Sequence, residues 1–363
     1  MSDTFRPFLS QAPLAAQEGS GLLLPIGRAR AWIKAAVQAQ TPAKSASCAN
    51  PRRSGNETPE VPALAAATGH TSHLGLRVRT VQLRGRVAYV DEGSGPVVLL
   101  LHGAPMTSLG FVRVIRELRK HHRVIAPDMP GFGGSECPPG FGGSLSEYAH
   151  FVQEFCRALD LRALVVYVND ASGPFGIAAS AGMAGRLAGL VVADTVQIPL
   201  TGWAWVVRQV LVHVIASRFV RFINRRFNLL PRMVAKVAPF MNPLPVEQSD
   251  ELVRQFDTPA KRDRIVDVFE QMGRDVSFMR RTREAVAVHL AQVPTLILYG
   301  QFDPMRIIGG VRGFQKMFKN SVVHIVPREE HFPILSSGEH VGKTVHAWAR
   351  TLPRYGSSEE SGE

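Results

Sequence analysis

Six short apolar runs, each too brief for a helix and most followed by a stretch with helical spacing, constrain this chain more than any other feature. They lie at 97–101, 124–126, 163–168, 190–193, 295–299 and 322–326. A strand with one face in water alternates apolar and polar side chains, whereas a continuous apolar run fits a strand buried on both faces, as in a parallel sheet covered by helices. Ahead of them, 81–83 and 87–90 flank Arg84-Gly85-Arg86 and read as a tight hairpin. With helices expected near 109–120, 145–159, 173–183, 311–318 and 341–351, the fold class is α/β, with a mostly parallel eight-stranded sheet and helices on both faces.

The alternation breaks once. Residues 197–290 read as mainly helical, so a helical cap is expected after the sixth strand, between core segments 79–196 and 291–352. Residues 1–73 lack sustained periodicity and are rich in Ala, Ser, Pro and Gln, which predicts a disordered N-terminal extension; 353–363 reads as a flexible tail.

Hydrophobic residues make up 45% and charged residues 20%, a globular composition with a core to bury. Charge interrupts every apolar stretch before about 18 residues, so no transmembrane helix is expected. The N-terminus lacks a basic start followed by an apolar run, and Asp3 and Glu18 argue against a transit peptide. Cys48, Cys137 and Cys156 form neither a disulfide framework nor a zinc spacing. Reduced thiols and a cytoplasmic location are therefore expected.

The net charge of +12 is concentrated in the cap. Residues 201–240 hold seven basic side chains and no acidic one, interleaved with Trp203, Trp205, Phe219, Phe222 and Phe227. Arg218, Arg221 and Arg225 fall at i, i+3, i+7 and are expected to form one polar stripe on a solvated face. An anionic substrate or peripheral membrane contact through the basic cap is the alternative use of that stripe. No nucleic-acid module accompanies the charge, so no nucleic-acid partner is expected. Gly131-Phe132-Gly133-Gly134-Ser135 does not complete a dinucleotide fingerprint, and His121-His122 has no neighbouring ligands at metal spacing, so neither cofactor nor metal is expected.

Open α/β sheets bind ligands outside the carboxyl ends of their strands. Those positions carry His102-Gly103-Ala104-Pro105, Asn169-Asp170-Ala171-Ser172-Gly173, Gly300-Gln301-Phe302-Asp303-Pro304 and Glu330-His331-Phe332, with Asp194 closing another strand. Together with the turn from Asp128 to Ser135, these motifs make residues 79–352 resemble the α/β-hydrolase superfamily, with the order nucleophile, acid, histidine. The elbow pattern places Asp170 at the nucleophile position, with Ser172, Gly173 and Gly176 as small residues, although Val168 stands where the family usually has a small one. Reading Ser172 as nucleophile would put it already inside the helix; a Ser172-dependent esterase is the alternative.

An aspartate nucleophile with a His-Gly-x-Pro loop resembles the haloalkane dehalogenase and epoxide hydrolase branch. The resemblance implies that Asp170 attacks an alkyl carbon to give an ester and that His331 activates the water that hydrolyses it. Asp303 would orient His331, with Asp194 as rival acid, and the backbone N–H groups of Ala104 and Ala171 would form the oxyanion hole. His102, Trp203, Trp205 and Phe332 are expected at the substrate pocket, His102 chiefly bracing its loop. The substrate would be small and apolar. Two departures stand out. Haloalkane dehalogenases usually carry Trp after the nucleophile and often Asn in the loop, where this chain has Ala171 and Ala104; epoxide hydrolases use two cap tyrosines, and no tyrosine lies between 197 and 290. Simpler roles remain open: Asp170 as a helix cap, Asp303 as a turn residue, His331 as a surface histidine. So does a different class, a non-catalytic ligand-binding homologue.

Overall fold

Alternate residues of each apolar run are taken up by opposite layers of the core. Leu99, Leu101, Val166 and Val168 join one cluster, whereas Val98, Leu100, Val165 and Tyr167 join the other. The computed structural model describes residues 69–72, 74–195, 202–236, 242–353 and 355, apart from the side chains of 202–205, 207 and 208. Residues 1–68 of the expected extension lie outside them.

The chain runs through β1 (Gly69–Thr71), β2 (Arg77–Gln82), β3 (Arg86–Glu92), β4 (Val97–Leu101), α1 (Val112–Leu118), β5 (Arg123–Pro127), α2 (Leu145–Ala158), β6 (Leu164–Asn169), α3 (Ser172–Ala181) and β7 (Leu187–Ala193). A helical insertion follows: α4 (Gly202–Ile215), α5 (Arg218–Phe227), α6 (Leu229–Lys236), α7 (Val246–Arg254), α8 (Pro259–Arg274) and α9 (Val276–His289). The sheet resumes with β8 (Thr295–Gly300), α10 (Pro304–Ile307), α11 (Gly310–Met317), β9 (Ser321–Val326), α12 (Pro333–Ser336) and α13 (Gly338–Ala349).

The strand order is β1-β2-β3-β5-β4-β6-β7-β8-β9. The first three strands are antiparallel to their neighbours, and every pairing from β5 to β9 is parallel. Helices α2, α3, α9 and α11 supply one apolar layer and α1, α12 and α13 the other. The eight expected strands are present. β1 is a ninth, pairing Gly69 with Arg79 inside the segment expected to be disordered; three residues are too few to carry a readable period, and only the β2 edge makes them a strand.

Three further expectations change. Tyr355, placed in the flexible tail, is anchored: its hydroxyl lies 3.1 Å from His122 Nδ1 and 3.3 Å from the Pro96 carbonyl. Cys137 is disulfide-bonded, whereas Cys156 is a free, buried thiol. Finally, the arginine stripe is only partly solvated. Arg221 pairs with Asp267 at 2.8 Å and Glu270 at 3.2 Å, and Arg225 with Asp263 at 2.8 Å, all on α8. Arg218 and Arg225 stay exposed, as a solvated face requires, whereas Arg221 is drawn in by the carboxylates of the neighbouring helix.

The insertion is not uniform. α4 and α5 pack on α8, whereas α9 packs on α3 and joins the sheet's helical layer.

Candidate active site

Where β6 ends, the chain turns into α3 through Asp170, whose φ of 48° lies in the left-handed region. Asp and Asn tolerate that region better than most residues, and the surroundings must still hold it. Thr195 Oγ1 donates to the Asp170 carbonyl at 2.6 Å, and the Gly173 N–H donates to it at 3.0 Å. The Tyr299 hydroxyl in turn donates to the Thr195 carbonyl. A Cβ on Gly103 would fall 2.5 Å from Asp170 Oδ2, so only glycine lets the two loops approach this closely.

The Asp170 side chain does not cap α3, whose N-cap residue is Ala171 without a side-chain bond. Instead Oδ2 accepts the Ala104 N–H at 3.0 Å, and Oδ1 lies 3.3 Å from His331 Nε2. His331 Nδ1 is 2.9 Å from Asp303 Oδ1. The same Asp303 oxygen accepts the Met305 N–H at 2.7 Å, so Asp303 does cap α10 while also holding the histidine. Three strand ends thus deliver Asp170, Asp303 and His331 to one line of hydrogen bonds. Burial disfavours the imidazolium, but the carboxylates of Asp303 and Asp170 outweigh it and raise the His331 pKa well above its ordinary value.

Asp194 sits behind this line. It is fully buried, and its Oδ1 accepts the Gly300 N–H at 3.0 Å. Burial first, and then the Asp303 charge, push its pKa well above the usual carboxylate range. Of the two acids, Asp303 is the one that meets the histidine.

His102 is fully occupied. Its Nε2 accepts the Met129 N–H at 2.9 Å, which leaves Nδ1 to donate to the Gly103 carbonyl at 2.8 Å. It braces the loop, and burial lowers its pKa. The Phe332 ring packs edge-on against His331, with centroids 4.5 Å apart. Trp203 and Trp205 fall on α4, but their side chains lie outside the described residues. Ser172 is fully buried; its Oγ accepts the Asn169 N–H at 2.8 Å and lies 2.7 Å from the Leu101 carbonyl. Its partners are backbone groups, not the histidine. A cavity of only ≈ 10 Å³ lies next to the elbow, among His102, Ala104, Phe132, Ala171, Phe175 and Val268 of α8.

Three positioning residues escaped the sequence reading. Thr195 and Tyr299 hold the elbow, and buried Glu329 accepts from the hydroxyls of Ser336 and Ser337 and from Asn242 Nδ2 at 2.8 Å, tying the insertion to the histidine loop. Thr195 and Tyr299 lie at or just past strand ends, the one signal available for them.

Comparison with known proteins identifies the family and the fold. The family model described as alpha/beta hydrolase fold matches residues 96–337. Haloalkane dehalogenase 2 of Mycobacterium tuberculosis is 29% identical over 257 residues, covering 69% of this chain and 86% of that protein. A haloalkane dehalogenase of Psychrobacter cryohalolentis is 34% identical over 114 residues, 30% of this chain and 38% of its own. Among solved structures, haloalkane dehalogenase DbeA from Bradyrhizobium elkani aligns with a TM-score of 0.66 at 18% identity, covering 75% of this chain and 96% of its own. The epoxide hydrolase CorEH aligns at 0.63 and 19% identity, covering 78% and 99%. At such identities the structures speak to the fold alone.

Proposed function

Given that this chain belongs to the alpha/beta hydrolase fold family, we propose that it is a cofactor-independent, dehalogenase-like hydrolase in which Asp170 is the nucleophile. The observation that carries this reading is the placement of His331 between Asp170 and Asp303, 3.3 Å and 2.9 Å from their Oδ1 atoms.

The Ala104 N–H holds Asp170 Oδ2, which leaves Oδ1 to attack. Oδ1 forms a bond to an sp³ carbon as the carbon–halogen bond breaks, and the halide departs with the electron pair. The product is an alkyl ester of Asp170 with Oδ2 as its carbonyl oxygen. Esterification removes the Asp170 charge that helped keep His331 protonated, so the imidazole becomes a competent base for the second step. His331 takes a proton from water, and the resulting hydroxide attacks the Asp170 carbonyl carbon. Negative charge then develops on Oδ2, against the Ala104 N–H and, by its position in the elbow, the N–H of Ala171. Collapse expels the alkoxide, which takes the proton from His331 and leaves as an alcohol. The Asp170 carboxylic acid then passes its proton to His331, and the proton that the imidazolium released to solvent after alkylation leaves with the halide as the net acid product. Asp303 orients the imidazole and stabilises its cation.

A small apolar substrate is in line with the names of the haloalkane dehalogenases it resembles and with the apolar side chains of Phe132 and Phe175 near Ala104 and Ala171. Alanines at 104 and 171 offer a halide no side-chain donor, so leaving-group stabilisation must come from elsewhere. Epoxide hydrolysis fits less well without a tyrosine between 197 and 290.

The test is His331→Gln exposed to short bromoalkanes and read by intact-protein and peptide mass spectrometry. An alkyl group should accumulate on Asp170 and vanish when Asp170→Asn is added. An acyl adduct on Ser172 with aryl esters would move the protein to the esterase class. Thermal stabilisation by the bromoalkanes, without adduct or turnover in wild type, would make it a binding protein.

A further inference from the structure

Helix α5 is inverted relative to an ordinary surface helix. Its inner face is polar: Arg221 and Arg225 pair with carboxylates of α8, and Asn224 Nδ2 donates to the Arg262 carbonyl at 2.8 Å. Because the polar positions 221, 224, 225 and 228 share one side at 3.6 residues per turn, the opposite side carries Phe219, Ile223 and Arg226, with Phe222 and Phe227 on its flanks. Phe219, Phe222 and Phe227 are 74%, 64% and 55% exposed. Helix α4 repeats the arrangement. Val212 is buried and would meet any Cβ on Gly273 of α8, while Val206, Val210 and Val214, at i, i+4 and i+8 on the other side, are all exposed.

Single exposed apolar residues need no explanation, but two consecutive, mutually packed helices that both turn phenylalanine and valine outward form a patch that does. The charge within it identifies the occupant. Residues 201–240 contain no acidic side chain. Of their arginines, Arg218, Arg226 and Arg232 are exposed and have no carboxylate partner among the described residues, and Arg226 lies over the Phe227 ring at 5.2 Å. Exposed aromatics with interleaved, uncommitted arginines are what a helix lying in a membrane interface presents: rings enter the acyl boundary and guanidinium groups stay with headgroup phosphates. A second copy meeting this patch face to face would bring like charges together.

We propose that the outer face of α4 and α5, with α6 beside it, docks the protein on anionic lipid bilayers, with Phe219 and Phe222 as the inserting residues and Arg226, together with Arg218 and the α6 residue Arg232 at the margins, as the headgroup contacts. This surface shares only Arg218 with the arginine stripe expected from sequence, since Arg221 and Arg225 pair with α8. It does not depend on the chemistry at Asp170.

The test is flotation of the full chain with vesicles of phosphatidylcholine alone or of phosphatidylcholine with phosphatidylglycerol at 3:1. Binding should require phosphatidylglycerol and weaken as salt is raised. Phe219→Ser/Phe222→Ser should lower partitioning at least about tenfold, and Arg218→Gln/Arg226→Gln/Arg232→Gln by more, at roughly fivefold per arginine. All five side chains are exposed, and circular dichroism should show both variants folded. Failure to float at low salt, or flotation undiminished in both folded variants, would overturn the proposal. So would a dimer seen by sedimentation equilibrium that Phe219→Ser/Phe222→Ser dissolves without any vesicle binding, since that would assign the patch to a second copy.

Discussion

His331 Nε2 stands 3.3 Å from Asp170 Oδ1, and that carboxylate, together with Asp303, raises the His331 pKa for as long as it is free. Under the proposed mechanism, alkylation removes one of the two charges that raise the histidine pKa. Ester hydrolysis should therefore rise with pH through a pKa lower than that of His331 in the free protein, while ester formation shows no such dependence. Stopped-flow measurement of the two phases would check this. The sign for stability follows from linkage: a histidine with a raised folded-state pKa contributes stability fully present below its unfolded value of about 6.5 and lost as pH rises through the folded value. His331→Gln should flatten that decline in a Tm series, and an identical decline in both proteins would contradict it.

Under the proposed mechanism the two buried acids have different roles. Asp303→Asn should cost about 10³- to 10⁴-fold in ester hydrolysis, the scale typical of a lost triad carboxylate. Asp194→Asn should stay within a few-fold, because an amide keeps the size of the acid and can still accept the Gly300 N–H. A buried acid whose pKa is raised favours the fold most at low pH, and that contribution declines once pH passes the ordinary carboxylate value of about 4. Asp194→Asn should remove the decline and equal or exceed wild type in Tm at neutral and alkaline pH. The opposite ranking in kinetics would make Asp194 the triad acid.

Ser172 Oγ is committed to the backbone of Asn169 and Leu101. Ser172→Ala should lower stability by about 1–3 kcal/mol, the cost of unsatisfied buried backbone groups, yet keep kcat within a few-fold at temperatures where the variant is folded. Complete loss of turnover in a folded Ser172→Ala protein would favour the esterase reading.

Thr195 acts through the elbow rather than on a substrate. Thr195→Val deletes its bond to the Asp170 carbonyl and should lower kcat about tenfold with KM little changed, as expected when a nucleophile is slightly misplaced. Thr195→Ser keeps the hydroxyl and should restore activity. Equal kcat in wild type and Thr195→Val would remove Thr195 from the positioning set.

What the sequence determined follows from periodicity and punctuation, which are local. Runs such as 97–101 and 163–168 can be buried on both faces only in a helix-covered sheet, and the residues just past each strand, Asp170 and Asp303 among them, are forced to one edge by chain direction. That Asp170 and His331 meet, although they are 161 residues apart, was readable only through the resemblance to a known family. Tertiary structure decided the rest, because those outcomes depend on partners brought in from afar. Asp303 rather than Asp194 reaches His331 because the turn after β8 carries it there, while Asp194 is taken up by the Gly300 N–H. Thr195 acquired a role because the elbow carbonyl came within 2.6 Å of its hydroxyl. Of the α5 arginines, Arg221 and Arg225 found partners because α8 presents Asp263, Asp267 and Glu270 to them, and helical spacing alone carries no information about which positions a neighbour will complement.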